Sequence, residues 1–128
     1  MKVIHVDNLY GTKRDVVCPR GGFKSLRLLL REDNMGFSLT KTFVPKGEEQ
    51  FWHYKNHLEA CFCIKGIGVL TNKETGEQFG VIPGTMYALD KNDAHTLKAL
   101  ESMELVCVFN PPLSGREVHD EDGVYARV

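Results

Sequence analysis

Residues 47–66 read GEEQFWHYKNHLEACFCIKG, and the alternation inside this stretch decides the fold. A strand sends successive side chains to opposite faces. Taken as one strand over 52–64, it places His53, Lys55, His57, Glu59, Cys61 and Cys63 on a single side. Two imidazoles, an ammonium, a carboxylate and two thiols are a poor choice for packing and a good one for a site. Other segments share the habit. Phe23, Ser25 and Arg27 have one parity, as do Ser38, Thr40 and Thr42, and likewise Leu105, Cys107 and Phe109. A solvated outer face would also be polar. The neutral and aromatic residues mixed into these faces favour instead a barrel with a polar interior.

Working outward, short apolar segments closed by turn residues recur about every 8–12 residues, the rhythm of a β-sandwich or barrel. Candidate strands lie at 2–6, 24–32, 36–44, 52–64, 68–72, 78–82, 85–89, 95–100 and 103–109. Turn signals fall between them at Glu32-Asp33-Asn34, Pro45-Lys46-Gly47, 72–76 and Pro83-Gly84. Residues 24–32, KSLRLLLRE, could be helical, since Leu and Arg are good helix formers. Leu26, Leu28 and Leu30 alternate with Arg27 and Arg31 at period two, which favours a strand. The expectation is an all-β, single-domain chain over 1–128, with a barrel over 1–110 and a polar tail over 111–128 that forms a surface strap or a lid.

A length of 128 residues holds one domain. The net charge of −1, with Lys and Arg scattered, argues against nucleic acid and anionic lipid as partners. No apolar run approaches the roughly 20 residues that span a bilayer. The opening MKVIHVDNLYGTKRD turns polar by its seventh residue, unlike a secretory signal. Four cysteines (Cys18, Cys61, Cys63 and Cys107) form no C-x-x-C pair, so reduced thiols in a cytoplasmic protein are expected.

Spacing adds chemistry. Gly47, His53, Lys55, Glu59 and Gly66 keep every interval of the first cupin motif, G-x5-H-x-H-x3-E-x6-G, with Lys55 in place of the second histidine. Gly84, Asp90, Asn92 and His95 follow the second motif, G-x5-P-x-G-x2-H, more loosely. Asn tolerates the left-handed backbone that a motif glycine would adopt. The chain therefore resembles a cupin, a double-stranded β-helix or jelly-roll barrel. The spacing offers His53, Glu59 and His95 as metal ligands, and a mixed nitrogen and oxygen set suits Fe(II) or Zn(II) better than Ca(II) or Mg(II). His5 and His57 read as packed or exposed histidines rather than ligands.

Longer runs carry a closer resemblance. WHYKNHLEACFCIKGIG (52–68), IPGTMYALDKNDAH (82–95), LVCVFNPPLSGREVHDEDGVY (105–125) and SLRLLLREDNMGFS (25–38) are similar to the ectoine synthase family over nearly the whole chain. That resemblance implies a cytoplasmic, homodimeric cupin that acts on a small molecule. The implied reaction cyclises N4-acetyl-L-2,4-diaminobutyrate to the compatible solute ectoine with loss of water, for protection under osmotic stress. It implies Fe(II), with Zn(II) sometimes serving, held by Glu59, Tyr87 and His95, so that His53 becomes a wall residue. It implies Tyr87, Glu117 and His119 as proton-transfer residues. Substrate contacts are implied at Phe23, Ser25, Arg27, Thr40, Thr42, Tyr54, Cys107 and Phe109. The family usually carries Trp ahead of its S-x-R triplet, where this chain has Phe23.

The residues suit such a reaction. Arg27 can hold a carboxylate through two parallel hydrogen bonds. A metal-bound Tyr87 can titrate far below the phenol's ordinary pKa of about 10. Cys61 and Cys63 read as small buried residues, not nucleophiles. Two other readings stay open: an Fe(II) cupin oxygenase, which would normally use three histidines, and a solute-binding cupin without turnover.

Overall fold

Burial along the longest strands follows the period-two pattern closely. A computed structural model describes residues 1–18 and 22–115. In β3 (Ser38–Val44), Ser38, Thr40, Thr42 and Val44 are buried, and Leu39, Lys41 and Phe43 are only partly covered. In β10 (Met103–Asn110), Met103, Leu105, Cys107 and Phe109 point inward while Val108 and Asn110 are exposed. Two antiparallel sheets result. Six strands run in the order β1-β2-β3-β10-β5-β8, with β1 Asp15–Val17, β2 Lys24–Leu29, β5 Leu58–Lys65 and β8 Met86–Leu89. Four run in the order β4-β9-β6-β7, with β4 Glu49–Trp52, β9 His95–Ala99, β6 Gly68–Asn72 and β7 Gln78–Val81. Their inner faces close over one core that includes Val44, Trp52, Leu70, Val81, Leu97, Met103 and Leu105. The chain is the all-β, single-domain barrel its patterning predicts.

Three expectations are corrected. Residues 2–6 form no strand: the chain makes a short 3-10 turn over Val6–Asn8, and Lys2 reaches Asp33 in an ion pair of 2.6 Å. The run VIHV lies on the surface, with Val3 and Ile4 exposed and no strand of this chain beside it among the described residues, and the first strand is Asp15–Val17 instead. Residues 24–32 are extended only to Leu29, because Asp33 accepts the backbone N–H of Leu30 at 2.8 Å and turns Arg31–Asp33 into a 3-10 segment.

The third correction concerns the stretch that gave the fold away. It is two strands in different sheets, β4 and β5, joined by a turn at 53–57. Asn92 holds that turn: its side-chain amide donates to the carbonyls of Tyr54 at 2.9 Å and His57 at 3.0 Å. Asn92 itself has φ 53°, the left-handed conformation expected where the motif has glycine. Gly66 closes the stretch with φ 87°, and a Cβ there would drive into the backbone carbonyl of Ser102. Gly66 thus lets the end of β5 pass close against the backbone that leads into β10.

Candidate functional site

The register of the six-stranded sheet assembles the site. Arg27 of β2 lies opposite Thr40 of β3, and Thr40 opposite Cys107 of β10. Cys107 faces Cys61 of β5, and Cys61 faces Tyr87 of β8. A single rung therefore carries a guanidinium, a hydroxyl, two thiols and a phenol across five strands, all turned into the barrel. The next rungs add Ser25, Thr42 and Leu105 on one side and Ser38, Phe109 and Glu59 on the other. Arg27 is 1% exposed and Glu59 7%, an uncommon depth for ionisable side chains.

Aromatic rings pack over this rung. Phe23 meets Trp52 edge to face at 5.1 Å, and Tyr54 meets Phe109 the same way at 5.2 Å. With Thr40, Thr42, Glu59, Cys61, Tyr87, Leu105 and Cys107 they enclose a narrow cavity of about 10 Å³, room for roughly one water. A wider groove of about 460 Å³ opens on the other side of Tyr87, between the sheet edges β7 and β8, and His95 lines it. Tyr87 borders both spaces.

Electrostatics in the site favours protonated acids. Burial, then the charge of Cys107, raises the Glu59 carboxyl well above the usual carboxylate range. Burial also raises Cys61 and Tyr87, with neighbouring acidic groups adding to both shifts. Cys107 alone moves down, because Cys61 donates to it and Thr42 approaches its sulfur at 3.7 Å. One ligand atom each of Glu59, Cys61 and Cys107 lie within 4.8 Å of one another. A carboxyl and two thiols this close together form a donor set of the kind that a transition-metal ion takes.

His95 supports the same conclusion. Its Nδ1 lies 2.9 Å from the carbonyl of Asp93, and a carbonyl can only accept, so Nδ1 carries the proton. Nε2 is then the lone-pair nitrogen, buried and without a hydrogen-bond partner among the described residues. Burial pushes the His95 pKa down, which keeps the ring neutral as a ligand requires.

Most of the expected site residues converge here. Phe23, Thr40, Thr42, Tyr54, Glu59, Tyr87, Cys107 and Phe109 line the narrow cavity. Ser25 and Arg27 are buried on the adjoining strand. His95 stands on the facing sheet in ring contact with Trp52 and Tyr54 at 6.0 and 6.1 Å. Glu117 and His119 lie outside the described residues. His53 is half-buried, close enough for its charge to act on His95. His57 packs edge-on against Phe109 at 6.1 Å.

Sequence reasoning passed over two residues. Cys61, read as inert filler, has its thiol in the acidic cluster, and its parity with Glu59 was the available signal. Trp52 lines the cavity from β4, which the expectation of one continuous strand concealed.

Comparison with known proteins gives a consistent result. The ectoine synthase family profile matches residues 1–128. L-ectoine synthase of Desulfatibacillum aliphaticivorans is 54% identical over 98% of this chain and 96% of its own. The crystal structure of ectoine synthase from P. lautus superposes with a TM-score of 0.88 at 47% identity, over 96% of this chain and 87% of that one. A Cupin_2 domain of an XRE family transcriptional regulator from Enterobacter cloacae shares only the fold, with a TM-score of 0.58 at 13% identity over 71% of this chain and 98% of that one.

Proposed function

The chain belongs to the ectoine synthase family, and from that premise we propose that it cyclises N4-acetyl-L-2,4-diaminobutyrate to ectoine. The α-amine attacks the acetamide carbonyl carbon, a C–N bond forms, and the former carbonyl oxygen leaves as water. The observation that carries this reading is the buried rung from Arg27 to Tyr87. It supplies a carboxylate anchor at one end and proton-bearing groups at the other.

Each residue has a physical task. Arg27 takes the substrate carboxylate through paired hydrogen bonds, strong because donor and acceptor are both charged. Phe23, Trp52, Tyr54 and Phe109 part to admit the substrate, then exclude water and fold its flexible chain toward attack geometry, which can supply several kcal/mol of the barrier. Thr40 and Thr42 offer hydroxyls from the adjoining strand, with Ser25 beside them. Tyr87 Oη exchanges a proton with the departing oxygen. Glu117 and His119 complete the proton relay if the tail over 111–128 closes on the barrel. Glu59, Tyr87 and His95 would hold a divalent metal, Fe(II) by preference or Zn(II), which supplies positive charge to polarise a carbonyl oxygen. A cytoplasmic homodimer completes the reading. Among the described residues no helix is long and apolar enough to cross a membrane.

One assay tests the function. Iron-loaded protein incubated with the acetylated diamino acid should form ectoine with no oxygen uptake. Oxygen consumption would favour the oxygenase, and tight binding without product would favour a solute-binding cupin. A second experiment tests the ligands: Glu59→Ala, Tyr87→Phe and His95→Ala should each lose most of the metal, and His53→Ala should keep it. Full occupancy in the first three by elemental analysis would remove the ligand assignment.

A further inference from the structure

Cys61 and Cys107 stand directly opposite each other on β5 and β10, neighbouring inner strands of the six-stranded sheet. Opposed residues of an antiparallel ladder have Cα atoms about 4.5 or 5.5 Å apart, depending on whether the pair is hydrogen-bonded. Both spacings fall inside the range of about 4.4–6.8 Å that a disulfide spans. Their sulfur atoms lie within 4.8 Å of each other, so both side chains already point the same way into the barrel. A bridge here needs a small turn of two side chains and no movement of a strand. The other two thiols are placed differently. Cys63 lies opposite Leu105, and its Sγ donates to the carbonyl of Lys65 at 3.4 Å. Cys18 lies past the end of β1.

The surroundings select the reagent. Both thiols are 2% exposed and line the cavity of about 10 Å³ beneath Phe23, Trp52, Tyr54 and Phe109. Space on that scale suits a molecule little larger than water and excludes a peptide disulfide or a protein thiol. The Thr42 hydroxyl, 3.7 Å from Cys107 Sγ, gives such a molecule a polar contact beside the sulfur.

We propose that Cys61 and Cys107 form a modification site, a dithiol that a small hydroperoxide oxidises to a disulfide inside the barrel. One thiol loses its proton and its sulfur attacks hydrogen peroxide. The O–O bond breaks, one water leaves and a sulfenic acid forms. The second sulfur then attacks the first. An S–S bond forms, the S–O bond breaks, and the second water leaves with the remaining thiol proton. The two thiols lose two electrons in all, and the peroxide is reduced to two waters. No metal takes part, so the site goes beyond the cyclisation and does not depend on it. The bridge takes both S–H groups and the Thr42–Cys107 contact out of the cavity. Oxidation therefore closes the site, and a dithiol reductant reopens it.

The test counts thiols, so it reads the site whether or not the protein cyclises anything. Full-length protein is loaded with Zn(II), which keeps iron out of the peroxide chemistry, and exposed to hydrogen peroxide. After quenching and unfolding, its free thiols should have fallen from four to two. The mass should be lower by two hydrogens, and digestion should release one linked pair of peptides containing Cys61 and Cys107. Chelator-treated protein should give the same bridge. Cys63→Ala should still lose two thiols, whereas Cys61→Ala and Cys107→Ala should form no bridge. Turnover should be lost in step with bridging and return with dithiothreitol. Four thiols persisting in both preparations, while a small dithiol in the same solution is consumed, would overturn the proposal. So would a bridge that uses Cys18 or Cys63, or a glutathione adduct on Cys107 after exposure to oxidised glutathione. Full turnover by fully bridged protein would overturn the closing of the site.

Discussion

The six-stranded sheet turns Ser25, Arg27, Thr40, Thr42, Glu59, Cys61, Tyr87 and Cys107 into the barrel, whereas the four-stranded sheet turns in Leu70, Val81, Leu97 and Ala99. Both walls are buried, and both alternate. One wall holds reactive groups and the other holds them in place. His95 and Trp52 are the exceptions: they lie opposite each other at one end of the apolar wall, where it reaches across to the polar one. Burial alone therefore does not separate a core from a site in this barrel. The chemistry of what is buried, strand by strand, does.

The largest effect should come from the apolar wall. Leu97 is fully buried in the middle of β9, and Leu97→Ala should cost about 2–5 kcal/mol of stability through lost burial and the cavity left behind. Thermal unfolding would show the drop, while ectoine formed per folded molecule at low temperature should hardly change. A loss of turnover without a loss of stability would break the division of labour between the walls.

Arg27→Ala attacks the other wall. A hydrogen bond to a charged group is worth about 1.5–3 kcal/mol, so kcat/KM should fall roughly tenfold to a hundredfold with metal content intact. Arg27→Lys should recover little, because an ammonium cannot reproduce the paired geometry. Unchanged kinetics in both would mean that β2 does not face the substrate.

Phe23→Trp sharpens the contrast where the walls meet. Phe23 is 7% exposed and packed edge-on against Trp52, so a larger indole has little room. Overpacking typically costs about 1–3 kcal/mol, and the melting temperature should fall. An indole that instead finds a polar partner would lower KM, and kinetics beside unfolding would separate the two outcomes.

The smallest effect belongs outside the barrel. Lys2, the backbone N–H of Leu30 and Arg14 hold the Asp33 carboxyl well below the usual carboxylate range. A depressed folded-state pKa contributes stability that is present above the unfolded value of about 3.9 and is lost as pH falls below it. Asp33→Asn should therefore lower stability at neutral pH and flatten the acid limb of the stability profile, without touching metal content or turnover.

What was legible in the sequence follows the same division. Parity alone placed Ser25, Arg27, Thr40, Thr42, Glu59 and Cys107 on inner faces, because each lies in a regular strand. Asn92 was legible too, since its tolerance of a positive φ stood in for the missing motif glycine. Local pattern failed where tertiary partners decide. An alternating run cannot show that 52–64 crosses between sheets, because the turn at 53–57 depends on an amide donated by Asn92 from 35 residues away. Nor could the first residues show that Lys2 would find Asp33 rather than a neighbouring strand. His95 came from the spacing of the second motif, whereas Tyr87 and the remaining contacts came from the family resemblance, since a lone Tyr carries no spacing signal of its own.

The in-register rung from Arg27 to Tyr87 has a consequence for how this protein can change. The strands have, in effect, a reading frame. A one-residue deletion inside β10 would carry Val106 and Val108 into the barrel and turn Cys107 and Phe109 out to solvent. No local composition would have changed, and every strand could still pair. Substitutions can thus tune this wall one group at a time, but insertions and deletions within its strands exchange the whole chemistry at once. Length variation in descendants of this chain should collect in the turns, and β3, β5 and β10 should keep their residue counts.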